Sequence, residues 1–310
     1  MRVHALPACT ACGSDQCKSF DLGAGHLLKQ CRECETVSAL EYADPSEIYT
    51  DGYLFGKTDF GLDVRDPEFQ EYLLRVGHRR FELIESVSSE RETFLDVGCG
   101  SGEVLQAGRE RGWHVQGVEP EATGATMARE RGLNVEIAML EDTGLQERFY
   151  DVVAAFHVLE HVPDPVGFLK MLARWARPGG LVVVEVPNFA SFQRRRLAEG
   201  WPMLRPLEHL THFTPATLER AVGGAGLKPI ITRSPVYLGP PQNLHFALAD
   251  LGRAGRFRHL MRPLSRARPV NGSTARYPTR AGWSLLRALE AGYDRRGIGA
   301  VAFCIGKVTP

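Results

Sequence analysis

Two hydrophobic rhythms alternate along this chain between residues 93 and 236. Short β-rich runs fall at 94–97, 114–119, 134–139, 151–156, 181–188 and 228–236, and a last one at 301–305. Between them lie segments of helical spacing: 104–111, stopped by Gly112; 121–131, stopped by Gly132; 165–174; and a helix from Pro215 to Gly223-Gly224, capped by Thr214. Ahead of them, Asp66-Pro67 supplies an N-cap and an N1 proline for a helix carrying Phe69, Leu73, Val76, Ile84 and Val87. The run 151–156 is nearly all apolar, as a strand covered on both faces requires. Strands alternating with helices over this length predict an α/β fold with a doubly wound, mostly parallel sheet.

Both flanks of this core read differently. Cys9-x-x-Cys12 and Cys31-x-x-Cys34 form two knuckles whose four thiolates can converge on one ion. Four cysteines close the shell, so the expected zinc is structural, and a ribbon this small needs it to fold. Cys17 stands outside the pattern. After the break at Asp44-Pro45-Ser46, the glycine-punctuated segment with Tyr49, Tyr53 and Phe55 is either a lid over a bound ligand or a linker packed on the core. Residues 237–298 read as a helical insertion made basic by Arg253, Arg256, Arg258, Arg262, Arg266, Arg268, Arg276 and Arg280. That run is either a solvated face or a phosphate-pairing surface. The expected division is a zinc ribbon (1–43), a linker and lid helix (44–91), a core (92–236), the insertion (237–298) and a closing strand (299–310).

Charge changes this picture little. The 310 residues carry 37 basic and 37 acidic side chains, so no global field favours nucleic acid or an anionic membrane. No apolar run is long enough to span a bilayer, and the N-terminal residues lack a signal-peptide core. The expectation is a soluble, cytoplasmic protein, where seven cysteines point to metal or packing rather than disulfides.

The chemistry concentrates where the first core strand ends. Asp96-Val97-Gly98-Cys99-Gly100-Ser101-Gly102 is a strand end, a tight turn of alternate glycines and a helix start, with Glu103 where a dinucleotide fold places glycine. Glu119 ends the second strand, where a carboxylate can accept both ribose hydroxyls of an adenosine. With Leu159-Glu160-His161 after the fourth strand and Pro178-Gly179-Gly180 before the fifth, the pattern resembles the class I S-adenosylmethionine (SAM) dependent methyltransferases. The resemblance implies a Rossmann-like seven-stranded sheet whose last strand is antiparallel. It also implies that SAM is held by Asp96, Gly98, Cys99, Gly100, Gly102, Glu119 and Pro120, with Leu140 and Glu141 on the adenine side and His157 and Glu160 facing the cofactor. His161 is read as structural.

The segment Glu208-His209-Leu210-Thr211-His212-Phe213 carries the remaining candidates. It is similar to the acid–histidine pair of sugar C-methyltransferases with N-terminal zinc ribbons, which implies His209 as general base oriented by Glu208, with His212 as second candidate. A histidine titrating near neutrality suits that task. The expected acceptor is a small molecule, foremost a sugar or glycan unit or a natural-product intermediate, with phosphorylated or nucleotide-linked classes included through the basic insertion. RNA base methylation and a non-catalytic binding protein are the alternatives.

Overall fold

The computed structural model describes residues 3–6, 8–23, 27–43, 64–88, 92–205, 207–237 and 291–309. Tyr49, Tyr53 and Phe55, and residues 238–290 of the basic insertion, lie outside the described residues. The N-terminal part contributes five short strands: β1 (Val3–Ala5), β2 (Cys17–Asp21), β3 (Leu27–Cys31), β4 (Val37–Ala39) and β5 (Glu41–Ala43). Helix α1 (Pro67–Glu85) follows, and then the alternating core. It runs β6 (Thr93–Val97), α2 (Glu103–Glu110), β7 (His114–Val118), α3 (Ala122–Glu130), β8 (Val135–Glu136), β9 (Tyr150–Phe156), α4 (Pro165–Trp175) and β10 (Ala176–Pro187). After β10 come α5 (Phe192–Leu197), β11 (Thr211–His212), α6 (Pro215–Gly224), β12 (Lys228–Arg233) and β13 (Val301–Lys307).

The central sheet has seven strands in the order β12-β13-β10-β9-β6-β7-β8. β6, β7, β8, β9 and β10 are parallel, and β13 runs antiparallel to β10 and β12. This is the predicted sheet. The third strand is shorter than expected, only Val135–Glu136, and leaves Ile137 and Met139 exposed at the sheet's rim. Helix starts follow the chemistry of their first residues: Asp164 accepts from the Gly167 N–H ahead of Pro165, and Thr214 and Thr217 form a reciprocal capping box.

Apolar clusters fill both faces of the sheet. On one face Phe81 of α1 packs against Phe94 of β6 with tilted rings, centroids 4.8 Å apart, with Trp113 beside them. Fully burying each such ring contributes about 2–3 kcal/mol. The helix expected in the linker-and-lid division is thus a fixed layer of the core. Residues 291–298, assigned to the insertion, also pack on the core: the Asn188 amide donates to the carbonyls of Gly297 and Gly299, and Asp294 accepts from the Ser234 N–H.

The N-terminal ribbon does not stand apart. Its sheet has the order β11-β4-β3-β2, so a strand from the far side of the core completes it, with Thr211 opposite Ser38 and His212 opposite Val37. Leu28 and Val37 of the ribbon share one apolar cluster with Phe189, Trp201 and Leu204. No helix among the described residues is long and apolar enough to cross a membrane.

Candidate active site

The turn after β6 is a left-handed triplet: Gly98, Gly100 and Gly102 have φ of 77°, 53° and 86°. Their reasons differ. A Cβ on Gly98 would overlap Val158, and one on Gly102 would overlap Leu133 and Ala128. A Cβ on Gly100 meets nothing within 4 Å, so that glycine alone faces open space. Glycine is needed at two positions for packing and at one for approach to the backbone.

Asp96 ends β6 beside this opening, 2% exposed, and its Oδ1 has no hydrogen-bond partner. Burial raises its pKa to about 7, the Arg80 guanidinium opposing and the Glu119 carboxylate adding to the rise. Glu119 lies beneath the turn, accepting from the N–H groups of Gly100 (2.7 Å) and Glu121 (2.8 Å). Cys99 and Leu140 are buried, whereas Pro120 and Glu141 are exposed. Glu103, the residue that breaks the dinucleotide pattern, is buried and paired with Ser101 and Arg131.

At the ends of β9 and β10 a second polar group forms. His157 adopts a left-handed backbone (φ 58°), a strained conformation for this residue type, and its ring lies between Glu160 (3.5 Å) and Glu185 (3.4 Å). Burial opposes a charge on this ring, but the two carboxylates outweigh it and raise its pKa to about 9. Glu185, fully buried, also accepts from Arg80 and from the Tyr237 hydroxyl (2.5 Å). Burial would raise its pKa, yet Arg80 and His157 bring it down to about 2. Arg80, Glu185 and Tyr237 were missed in the sequence. Glu185 sits inside an apolar strand run, and that lone acid was the available signal; Arg80 reaches it from a helix 105 positions away.

In the 205–213 segment Glu208 and His209 take different partners. Glu208 pairs with Arg205 (2.8 Å), and the His209 Nδ1 donates to the Met203 carbonyl (2.8 Å). The carboxylate beside His209 is Glu160. Burial, with His161, His212 and Arg205 nearby, lowers the His209 pKa well below its usual value. That shift disfavours a proton on the ring and weighs against His209 as the general base. His212 is a buried strand residue packed on Phe189 (5.2 Å), its pKa lowered to about 4 by burial and by Arg194. Leu210 pins the segment on both sides: its N–H donates to the Glu160 carbonyl (2.8 Å), and its carbonyl accepts from Ala39 of the ribbon (2.9 Å).

In the ribbon, Cys9, Cys12, Cys31 and Cys34 converge with all sulfurs within 4.8 Å of one another. The Cys9–Cys34 and Cys12–Cys31 separations, 3.4 and 3.6 Å, approach the ~3.8 Å edge of a zinc tetrahedron with Zn–S near 2.3 Å. Burial opposes ionisation of Cys31, but the N–H groups of Cys34 and Glu33 and the Cys12 thiol outweigh it and lower its pKa to about 7. The donor set fits zinc. Cys17 is not part of the cluster.

A parallel sheet carrying a glycine turn and paired acids at its carboxyl edge defines the class I SAM-dependent methyltransferase fold. The chain belongs to the methyltransferase domain family, whose model matches residues 67–231. It is 32% identical over 146 residues to the ubiquinone biosynthesis O-methyltransferase of Aeromonas salmonicida (strain A449), covering 43% of this chain and 61% of that protein. To the protein of the same name from Hydrogenovibrio crunogenus (strain DSM 25203 / XCL-2) it is 32% identical over 124 residues, 37% of this chain and 52% of the relative. The match thus spans less than two thirds of each relative. Among solved structures, phosphoethanolamine N-methyltransferase 2 of Haemonchus contortus with bound S-adenosyl-L-methionine shares the fold, with a TM-score of 0.50 and 14% identity over 86% of this chain and 60% of that one.

Proposed function

We propose that this chain transfers a methyl group from SAM to a small polar acceptor, with a hydroxyl of a sugar unit or natural-product intermediate as the favoured nucleophile. The observation that carries this reading is the buried Asp96 Oδ1 without a hydrogen-bond partner, beside Gly100, the glycine of the turn whose face is open. A cationic ammonium such as that of the SAM methionyl group satisfies such an oxygen. The backbone at Gly100 lets the ligand lie close, and Glu119, held from two N–H groups, keeps further lone pairs for ribose hydroxyls. Cys99, Leu140 and the exposed Pro120 and Glu141 border the same side.

SAM supplies an already activated methyl group, so the protein's task is alignment of the acceptor in line with it. Here the acceptor side is read as the face lined by His157, Glu160 and His209, with the Arg80–Glu185–Tyr237 cluster holding the His157 ring. The ribbon, with a structural zinc on its four cysteines, holds the segment that brings His209 there. The relatives' name, ubiquinone biosynthesis O-methyltransferase, is consistent with a small-molecule hydroxyl acceptor.

The test is calorimetry of SAM binding followed by transfer of labelled methyl to a panel of nucleotide-sugars, glycans, phenolic small molecules and RNA. SAM binding with label in a small molecule is expected. Absence of SAM binding, or label in RNA alone, overturns the reading.

A further inference from the structure

One cluster is left over once the donor side and the ribbon are accounted for. Glu160, His161 and His209 bring a carboxylate oxygen and two ring nitrogens within 4.8 Å of one another. Glu160 is 2% exposed, and neither of its carboxylate oxygens has a hydrogen bond. The nearest ring nitrogens, His157 Nδ1 at 3.5 Å and His161 Nε2 at 3.9 Å, are too far for a good one. Besides His161, the basic group against it among the described residues is the His157 ring, which is shared with Glu185, so Glu160 keeps lone pairs on both oxygens with which to coordinate a cation. Arg80 already serves Glu185, and Arg205 already serves Glu208.

The histidines are prepared in the same way. His161 Nδ1 lies 3.1 Å from the Glu208 carbonyl and His209 Nδ1 2.8 Å from the Met203 carbonyl. A carbonyl only accepts, so each Nδ1 carries the proton and each neutral ring has its lone pair on Nε2. Metal-ligating histidines are held by such a bond from the second nitrogen. The two rings meet edge to face, centroids 4.6 Å apart. The Leu210 N–H to Glu160 carbonyl bond locks the two contributing segments together.

The geometry points to a second metal site in this protein, in which Glu160, His161 and His209 bind one divalent transition-metal ion of the zinc class. Two imidazoles and a carboxylate suit zinc, cobalt(II), iron(II) or manganese(II) better than calcium or magnesium, and three protein ligands leave a coordination position open. That position is suited to an acceptor oxygen, whose proton the ion would make easier to lose. This assigns His161 and His209 as ligands, in place of a structural histidine and a general base. The acceptor role rests on the proposed function, but metal binding itself does not.

The test uses the full chain with its cysteine cluster loaded with zinc, titrated with Co2+. One further Co2+ per chain is expected, giving visible d–d bands without a thiolate charge-transfer band. Glu160→Gln and His209→Ala should each weaken Co2+ binding by about 100-fold or more, at least the effect of losing a supporting partner. His161→Gln, on the least buried of the three side chains, is the companion variant in case the others lose their fold, checked by circular dichroism. No Co2+ beyond the ribbon, a charge-transfer band from cysteine exchange, or unchanged affinity in the folded variants overturns the site. None of these readouts needs SAM or turnover, so failure here is separate from failure of the methyltransferase reading.

Discussion

The proposed donor side and the proposed acceptor side are built on opposite plans. The donor side is local: Asp96, the glycine turn and Glu119 come from two adjacent strands, β6 and β7, and the turn between β6 and α2. The acceptor side is assembled from distant segments. Glu160 and His161 follow β9, His209 precedes β11, and β11 is at once an edge of the ribbon sheet. The donor side therefore depends on the central sheet alone, whereas the acceptor side depends on two sheets being docked together. The ribbon shares its apolar cluster with Phe189, Trp201 and Leu204 instead of burying it within itself. A small metal-held module can in this way position a segment that a loop alone would leave mobile.

This contrast can be broken most sharply at the cysteines. Replacing Cys31 and Cys34 together by serine would remove the zinc proposed for the four cysteines, worth about 10 kcal/mol of local folding free energy. Methyl transfer is expected to fall by about 1000-fold or more, while SAM affinity by calorimetry stays within about threefold. A parallel loss of SAM binding would show that the two sides are not separable.

On the donor side, Asp96→Asn removes one charged partner, about 2 kcal/mol, and should weaken SAM binding about 30-fold with the acceptor KM unchanged. Gly102→Ala combines a left-handed backbone with overlap on Ala128 and Leu133. It should destabilise the chain by about 2 kcal/mol, seen as a Tm lower by about 4–8 °C.

The pH dependence of SAM binding separates the sides further. The Asp96 pKa is raised to about 7, so below that pH its carboxyl is protonated and cannot pair with an ammonium. SAM affinity should rise about tenfold as pH increases from 5.5 to 8, with proton release on binding near pH 6.5. Calorimetry in two buffers of different ionisation enthalpy measures both, and a flat profile would remove Asp96 from the cofactor site. The smallest effect is expected at Glu208→Gln. Because Glu208 pairs with Arg205 and not with His209, kcat should change by less than about threefold. A larger loss would restore the acid–histidine pair.

Much of this was legible in the sequence because it is carried by short-range rules. The alternation of strand and helix periods led to the sheet, and residue pairs three apart led to the cysteine knuckles. Positions such as Gly98 and Gly102 were found by pattern, although both are glycine for packing reasons that only Val158, Leu133 and Ala128 reveal. The expected Glu208–His209 pair shows the complementary limit. Adjacent residues such as Glu208 and His209 suggest a pair, yet the chain sends Glu208 to Arg205 and His209 to Met203.

The amino-acid sequence by itself determined the class of fold, the glycine turn and the cysteine knuckles, since each is a local pattern of backbone freedom, periodicity or ligand spacing. The tertiary structure decided what surrounds Glu160 and Glu185. Burial, partner choice and the meeting of Glu160 with His161 and His209 depend on how the ribbon sheet and the central sheet dock. Those contacts join residues far apart in the chain, and no local rule encodes which buried carboxylate is hydrogen-bonded and which is not.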